Sequence, residues 1–172
     1  MKEVKLTQGY VALVDDEDFD RVSTAGPWHA VVYPRSVYAK HTTAHIDGKQ
    51  KPITMHSFIL GVTDGRIEID HEDHNGLNNQ RINLRVATKH ENQRNRRKSH
   101  NNTSGYKGVC WVKARHNWEA MIRVNGKSVW LGSFASAEDA ARAYDSAALK
   151  YFGEFAFTNM MAQKEKGLLC QT

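Results

Sequence analysis

Hydrophobic and polar positions alternate over much of the first sixty residues, which is the pattern of short, half-buried strands. An acidic run, Asp15–Asp18, interrupts the alternation and predicts a helix start, because acidic residues suit a helix N-terminus. A short apolar segment, His56–Gly61, follows, and it resembles a brief helix that precedes the motif described below. The sequence therefore predicts a β-rich scaffold over residues 1–60, with strands near residues 4–14, 28–40 and 51–55.

The next thirty residues change from strand to loop to strand to helix. β-branched and polar residues alternate over Arg66–Asp70, and the Asn-rich stretch Glu72–Gln80 has the composition of a loop. Alternation returns over Ile82–Val86 and predicts a second strand. Thr88 followed by Glu91 matches a capping box, so a helix should begin there. We expect this order to bring together three polar residues at the strand end: Asp70, His71 and Asn92.

Residues 104–159 predict three strands followed by one helix. Asn125-Gly126 is a strong hairpin signal between the second and third strands. Ser136 with Asp139 forms another capping box, after which Ala and Tyr recur at helical spacing until Gly153. We therefore predict an α+β protein: a β-rich N-terminal part, then a three-stranded antiparallel sheet packed on one helix.

Positive charge is concentrated in one segment and changes the picture of function. The 172-residue chain has a net charge of +5, but residues 94–135 hold nine Lys or Arg and one acid, Glu119. Such a field attracts phosphate and makes binding depend on salt. Three Trp residues are interleaved with these charges and can contact bases or sugars, although at least one is expected in the core. We predict a double-stranded DNA partner.

Composition also suggests boundaries and a compartment. We predict a first domain at residues 1–93, a basic polar linker at 94–103, a second domain at 104–159 and a tail at 160–172 with no readable role. Two isolated Cys argue against a disulfide scaffold and fit a reducing interior. We see no membrane-spanning run and no secretory signal, and expect a cytoplasmic protein.

The polar residues after the first strand suggest metal-assisted chemistry. Oxygen ligands from Asp70 and Asn92 suit Mg²⁺ or Mn²⁺, and a neutral His71 can take a proton from water. A zinc alternative is open, since His71, His74 and His90 cluster in the sequence. Structural zinc normally has four ligands, often Cys. The two Cys, Cys110 and Cys170, are distant.

This segment resembles an HNH (ββα-metal) nuclease motif of the phage homing-endonuclease type. The resemblance is carried, in order, by Asp70-His71, Asp73, Asn75, Asn78-Asn79, Asn83-Leu84, Thr88 and Asn92. It implies that His71 is the general base, that Asp70 and Asn92 bind the metal, and that Asn83 orients the loop carrying His71. Such proteins often have Gly where this chain has His74, which puts the local turn in question. We also regard His56 as a candidate support for the active site.

The basic region resembles the plant ethylene-response-factor (Apetala-type) DNA-binding domain. The likeness lies in Tyr106-Lys107-Gly108-Val109, Ile122-Arg123, Trp130-Leu131-Gly132-Ser133-Phe134 and residues 137–145. It implies a sheet in the major groove, with Lys107, Arg123 and Trp130 the best-matched contacts. Cys110 and Ser128 stand where the family often has Arg, so base preference does not transfer.

Other basic residues extend the expected DNA interface. Lys113, Arg115 and Trp118 lie on the same predicted hairpin, and we leave open whether Trp118 is in the core or the groove. The linker is expected to track the DNA backbone or a minor groove through Arg94, Arg96, Arg97 and Lys98. An ordinary solubilising linker is the alternative.

Together these features predict a homing-type DNA endonuclease acting as a monomer or homodimer. We expect hydrolysis at a long, tolerant site to a 5′-phosphate and a 3′-hydroxyl, with one strand nicked per active site. The alternative is a non-enzymatic DNA-binding regulator on a retained nuclease fold. An RNA nuclease is a third possibility, and it is disfavoured because A-form RNA hides its major groove. Competition between duplex DNA and RNA distinguishes it.

Overall fold

The computed structural model describes residues 1–34, 36–42 and 52–163. The chain divides into two compact units, Met1–Asn92 and Gln93–Thr172. Two sequence features, Lys51 in the predicted third strand region and Cys170 in the tail, lie outside the described residues. The finer division into linker, domain and tail stays a prediction. None of the described helices is both long and apolar enough to cross a membrane.

In its described residues the first unit contains three small antiparallel sheets and two α-helices, and a third α-helix begins in it and ends in the second unit. Strands β1 and β2 form a hairpin, β3, β4 and β5 form a second sheet in that order, and β6 pairs with β7. The elements, in chain order, are β1 Lys2–Lys5, β2 Val11–Val14, α1 Asp16–Thr24, β3 His29–Tyr33, β4 Ser36–Thr42, β5 Pro52–Thr54, α2 Met55–Leu60, β6 Glu68–His71, β7 Leu84–Ala87 and α3 Lys89–Arg94.

The core of this unit lies where the first two helices meet the sheets. Val14, Val22, Met55 and Ile59 are fully buried there. Trp28 packs against them, and its indole nitrogen donates to the Val22 carbonyl oxygen at 2.9 Å. The predicted β-rich scaffold with two short helices is therefore present, and it forms the support for β6 and β7.

The predicted order of strand, loop, strand and helix is present over residues 68–94, with shifted boundaries. The first strand begins at Glu68 and not at Arg66, because Asp64 folds the preceding residues into a turn and accepts from the Arg66 backbone nitrogen at 2.9 Å. The second strand begins at Leu84, so placing Ile82 in it was wrong. Residues 81–83 form a 3₁₀ turn that is held by Arg81, whose backbone nitrogen donates to Asp15 at 2.8 Å.

The second unit is a three-stranded antiparallel sheet covered by one helix, as predicted. Strands β8 Val109–Val112, β9 Asn117–Val124 and β10 Lys127–Phe134 lie in the order β10-β9-β8, and α4 Ala137–Phe152 packs on them. Small residues let the helix approach closely: Ala120, Ala140 and Ala148 are fully buried. Gly108 is required beneath it, because a Cβ there would lie 2.0 Å from the Tyr144 ring.

Local turn and cap signals in this unit are confirmed. Asn125 and Gly126 both have positive φ, the geometry of a tight hairpin turn. The Ser136 hydroxyl accepts from the Asp139 backbone nitrogen at 3.0 Å and starts α4. Gly153, with φ of 55°, ends it. Short-range sequence chemistry therefore accounts for the boundaries of β9, β10 and α4.

Candidate functional site

The β6–β7 hairpin places Asp70 directly opposite Arg85 and His71 opposite Leu84. Residues paired across a hairpin share a face, and alternate residues of one strand do so as well. Glu68, Asp70 and Arg85 therefore lie on one face of the hairpin. His71, the last residue of β6, follows Asp70 directly and leaves the strand on the other side.

Asp70 is buried and held by an arginine that the sequence analysis did not single out. The Nε and Nη2 atoms of Arg85 donate to Oδ2 of Asp70 at 2.9 and 2.7 Å. The Asp70 side chain is 6% exposed and that of Arg85 is 15% exposed. This proposed metal ligand thus already carries a cationic partner. Knowledge of the β6–β7 register would have placed Arg85 opposite Asp70. That register depends on the conformation of the long loop between the two strands.

Asn92 lies on α3, where its amide nitrogen donates to Oε2 of Glu68 at 2.6 Å. Glu68 is the residue two positions before Asp70 on the same face. The helix that carries Asn92 begins as predicted, because Thr88 and Glu91 bond reciprocally: the Thr88 backbone nitrogen donates to the Glu91 carboxylate at 2.8 Å, and the Glu91 nitrogen donates to the Thr88 hydroxyl at 3.3 Å. Asn92 therefore reaches the Asp70 face through Glu68.

His71 sits in a buried group of rings. Its ring centroid lies 5.0 Å from that of His56 and 5.7 Å from that of Tyr38. Its Nε2 atom lies 3.4 Å from Oδ1 of Asn79, which is itself fully buried. The residue is held from several sides, as a group with a fixed orientation would be.

Burial keeps both histidines of this group neutral. Desolvation lowers the pKa of His71, and the contact with Asn79 and nearby Asp73 only partly opposes this. Desolvation lowers the pKa of His56 further, to about 3, and repulsion from His71 adds to the effect. A neutral imidazole is the form that can accept a proton. His56 thus contacts His71, as the sequence analysis anticipated for a support residue.

The loop after His71 is fixed by Asn83. The Asn83 side chain accepts from the Asp73 backbone nitrogen at 3.0 Å and donates to Oδ1 of Asp73 at 3.0 Å and to the Asn78 carbonyl oxygen at 2.7 Å. His74 adopts a φ of 60°, so the turn for which relatives often use Gly is made here by His. Asn83 is placed where it can orient this loop.

The loop is also anchored to the N-terminal hairpin. Leu13 of β2 accepts from the Asn79 backbone nitrogen and donates to the Leu77 carbonyl oxygen, both at 2.8 Å. Buried Asp18 of α1 binds Arg81 at 2.7 Å. These contacts join residues more than sixty positions apart, and no local pattern could have revealed them.

The arrangement of the polar side chains bears on the choice between zinc and an oxygen-preferring cation. Within the described part of the chain, no group of three or more His, Cys, Asp or Glu is arranged to hold a metal ion. His90 is exposed on α3 and His71 is packed against His56, so the zinc alternative gains no support. Asp70 and Asn92 offer hard oxygen atoms of the kind that Mg²⁺ prefers, and the Arg85 guanidinium contacts Oδ2 of Asp70.

The outer face of the second unit presents Arg123 and Trp130 to solvent. They alternate with the helix-facing residues of β9 and β10, and Trp130 is 58% exposed. Trp118 lies on the helix side, packed against the core and 5.1 Å from the Trp111 ring, which favours the core alternative. Lys113 is exposed, and Arg115 is paired with Glu119 at 2.6 Å.

Two predicted DNA contacts are packed within the second unit. The Lys107 ammonium donates to the Arg94 carbonyl oxygen at 2.7 Å and lies 5.6 Å from the Phe157 ring centroid. Burial lowers the pKa of Lys107 to about 8. The Arg94 guanidinium lies over the Phe152 ring at 5.0 Å. By contrast, Arg96 and Arg97 are exposed, and Lys98 is half-buried.

Comparison with known proteins finds a family model that matches part of the second unit, and relatives that share part of the chain. Residues 104–154 match the AP2 domain family model. The chain is 36% identical over 110 residues to an uncharacterised HNH endonuclease of Acanthamoeba polyphaga mimivirus, covering 61% of this chain and 56% of that protein. It is 44% identical over 59 residues to Protein 3.8 of Escherichia phage T7, covering 34% of this chain and 49% of that protein.

A plant relative shares a shorter region. An AP2-like ethylene-responsive transcription factor of Arabidopsis thaliana is 43% identical over 61 residues, or 36% of this chain and 13% of the factor. The chain therefore spans about half the length of the viral and phage relatives and much less of the plant one. No solved structure matches it. These similarities support an architecture in which an HNH-type region precedes an AP2 domain.

Proposed function

We propose that this protein is a Mg²⁺- or Mn²⁺-dependent HNH endonuclease of the homing type that hydrolyses double-stranded DNA. The single observation that carries the proposal is buried His71, kept neutral and held by Asn79 and His56, immediately after Asp70 at the end of β6. Similarity to a viral HNH endonuclease supports the same conclusion. Similarity to a phage protein favours a phage setting.

His71 acts in this proposal as the general base. It takes a proton from a water molecule, which then attacks the phosphorus and displaces the 3′ oxygen. The displaced oxygen takes up a proton from solvent, so the products are a 5′-phosphate and a 3′-hydroxyl. Asn83 holds the loop from Asp73 to Asn78 so that His71 keeps its orientation. The scissile phosphate must lie across the end of β6, where His71 and Asp70 are neighbours.

Asp70 and Asn92 are the proposed metal ligands. A divalent cation held there supplies positive charge to the phosphate oxygens as negative charge develops. The Glu68 carboxylate accepts from the amide nitrogen of Asn92 at 2.6 Å. This contact fixes the orientation of the amide, so that its oxygen is free to bind the metal. With only one carboxylate in this ligand pair, binding without DNA should be weak.

The second unit holds the DNA. Exposed Arg123 and Trp130 provide a cation and an aromatic surface on an open sheet face, which suits groove contacts and phosphate binding. One chain offers one proposed active site. A monomer should therefore nick one strand at a long and tolerant site unless a second copy joins it.

A non-enzymatic DNA-binding regulator is the second candidate function. It is favoured by one observation: Asp70 is already neutralised by Arg85 at 2.7 Å. Such an ion pair would be compatible with a nuclease fold that kept its structure and lost its catalytic activity. Similarity of the second unit to plant transcription factors also fits this alternative.

Nicking of supercoiled phage-derived DNA in the presence of Mg²⁺ distinguishes the two. We expect the wild-type protein to relax the plasmid and EDTA to abolish relaxation. His71→Ala should lose nicking while keeping DNA affinity, with His90→Ala, an exposed histidine on α3, as the matched control. Relaxation that continues unchanged without divalent metal contradicts the proposal. DNA binding by all variants with cleavage by none, on DNA that contains the bound site, favours the regulator.

A further inference from the structure

The guanidinium of Arg85 occupies the position at Asp70 where a cation is required. Both contacts, at 2.9 and 2.7 Å, reach the same carboxylate oxygen, Oδ2. The pair lies in register across β6 and β7, so the hairpin itself brings the two side chains together. The first proposed metal ligand is therefore satisfied by the protein's own cation.

A divalent ion and this guanidinium cannot share Asp70 without cost. Two cations close to one carboxylate repel each other, and the repulsion is strong where both partners are shielded from water. With Asp70 6% and Arg85 15% exposed, solvent screens the group poorly. Metal entry at Asp70 thus requires Arg85 to find another partner.

A DNA phosphate provides that partner. Arginine presents a planar fork of donors that matches phosphate oxygens as well as it matches a carboxylate. Arg85 lies on the strand opposite Asp70, where the scissile phosphate is proposed to bind. The move exchanges one anionic oxygen for another and leaves no buried charge unpaired.

We propose that Arg85 holds Asp70 in the free protein and transfers to a DNA phosphate when a divalent cation binds Asp70, so that metal and DNA bind cooperatively. The inference rests on the proposed function, since it takes Asp70 as a metal ligand. Arg85 then contacts the substrate, and it also acts as a placeholder, which means that it occupies Asp70 while the metal is absent. The protein would hold its metal firmly only when DNA is present.

Mn²⁺ affinity of the DNA-free, full-length protein is the first test. Free Mn²⁺ is followed by electron paramagnetic resonance during titration. We expect Arg85→Gln to bind Mn²⁺ about 10- to 100-fold more tightly than wild type, a change as large as the losses that follow mutation of residues holding a metal ligand, but in the opposite direction. Arg85→Lys keeps the charge and should stay near wild type. Arg66→Gln is the matched control, because Arg66 is 91% exposed in its pair with Asp64.

Coupling to DNA is the second test, made in a His71→Ala background to prevent cleavage. Duplex DNA should raise the Mn²⁺ affinity of the parent protein, and Mn²⁺ should raise its DNA affinity by the same factor. In Arg85→Gln this mutual enhancement should largely disappear, because the placeholder is gone. DNA affinity in Mn²⁺ should also fall, since a phosphate contact is lost, whereas DNA affinity in EDTA should stay near that of the parent protein, because Arg85 then holds Asp70.

Equal Mn²⁺ affinities for wild type, Arg85→Gln and Arg85→Lys overturn the inference. If Arg85→Gln does not fold, Arg85→Met, which fills similar space without charge, replaces it. Nicking by wild type together with equal Mn²⁺ affinities leaves the nuclease proposal standing and removes only the role of Arg85. Tighter Mn²⁺ binding by Arg85→Gln, with no His71-dependent nicking, supports the placeholder at a metal site that is not a nuclease.

Discussion

The two units of this protein place their functional residues in opposite ways. In the first unit the candidate chemistry is internal: Asp70, His71 and Asn83 are buried and held by several polar partners. In the second unit the candidate binding residues Arg123 and Trp130 are exposed on a sheet that is stabilised from its other side by α4. A buried reactive group gains a fixed orientation at a cost in desolvation, whereas an exposed face can change its contacts without disturbing the core.

Because of this contrast, stability and function should be coupled in the first unit and independent in the second. Substitutions at the first site should change both the free energy of unfolding and cleavage. Substitutions on the outer face of the second sheet should change DNA affinity alone. The predictions below test that difference, beginning with the largest expected effect.

Asn83→Ala should be the most disruptive of these changes. It removes three hydrogen bonds that fix the loop after His71 and leaves polar groups of that loop without these partners, so we expect a loss of about 2–4 kcal/mol in the unfolding free energy of the first unit. Hydrogen exchange followed by mass spectrometry assigns the loss to residues 1–92. Asn75→Ala, at an exposed position of the same loop, is the control. Equal effects of the two substitutions would contradict the assigned role of Asn83.

Arg123→Ala and Trp130→Ala should each weaken DNA binding by about 1–3 kcal/mol through lost phosphate, base or stacking contacts. The melting temperature of the second unit should stay nearly unchanged, because both side chains lie away from α4. Fluorescence anisotropy with labelled duplex measures affinity at several salt concentrations. Arg142→Ala, an exposed arginine on the helix, serves as the comparison. Loss of affinity in Arg142→Ala alone would move the DNA interface to the helix side.

Acid should destabilise the first unit through its buried histidines. Unfolded His binds a proton near pH 6.5, while the folded-state pKa of His56 is about 3 and that of His71 is also lowered. Below pH 6.5 the unfolded state therefore binds more protons, and stability falls as pH falls toward the folded values. For His56 we expect about 1 kcal/mol per pH unit between these two pKa values, and His71 adds to the loss in the same direction.

His56→Phe isolates one of these contributions. It keeps a ring beside Tyr38 and His71 but cannot take up a proton, so the loss of unfolding free energy between pH 6 and 4.5 should be smaller than in the wild-type protein. Denaturant unfolding at each pH provides the measurement. His29→Phe, which replaces an exposed histidine of β3, should leave the pH dependence unaltered. An unchanged slope in His56→Phe would show that other groups cause the acid sensitivity.

Lys107→Met should have the smallest effect on DNA, less than about twofold in affinity, because the ammonium is bound to the Arg94 carbonyl oxygen and its stem packs near Phe157. The substitution should mainly change packing within the second unit. The same anisotropy assay measures it, with Arg123→Ala as the positive comparison. A tenfold loss of affinity would restore Lys107 to the interface that family resemblance suggested.

The sequence was most informative where structure depends on neighbouring residues. Asn125-Gly126, Ser136 and Thr88 specify a turn and two helix starts through backbone geometry and local hydrogen bonds, and all three are present. It was less informative where contacts cross between elements. The register that sets Arg85 against Asp70 depends on the intervening loop.

Exposure was also difficult to predict from composition. Lys107 belongs to a basic region and matches the family pattern, yet aromatic side chains close around its stem. Trp118 and Trp130 have similar surroundings in the sequence, but strand alternation sends them to opposite faces. Local charge therefore located the binding region without identifying which of its members reach solvent.

The bond between Leu13 and Asn79 sets the smallest piece of this gene that could be exchanged with a relative. The loop that carries Asn75, Asn78 and Asn79 is completed by a strand encoded about two hundred nucleotides upstream. A recombination event that transferred only the segment from Glu68 to Asn92 would separate Asn79 from the carbonyl that orders it. Successful chimeras should therefore exchange everything from the first hairpin onward, and crossovers should be tolerated best between the two units.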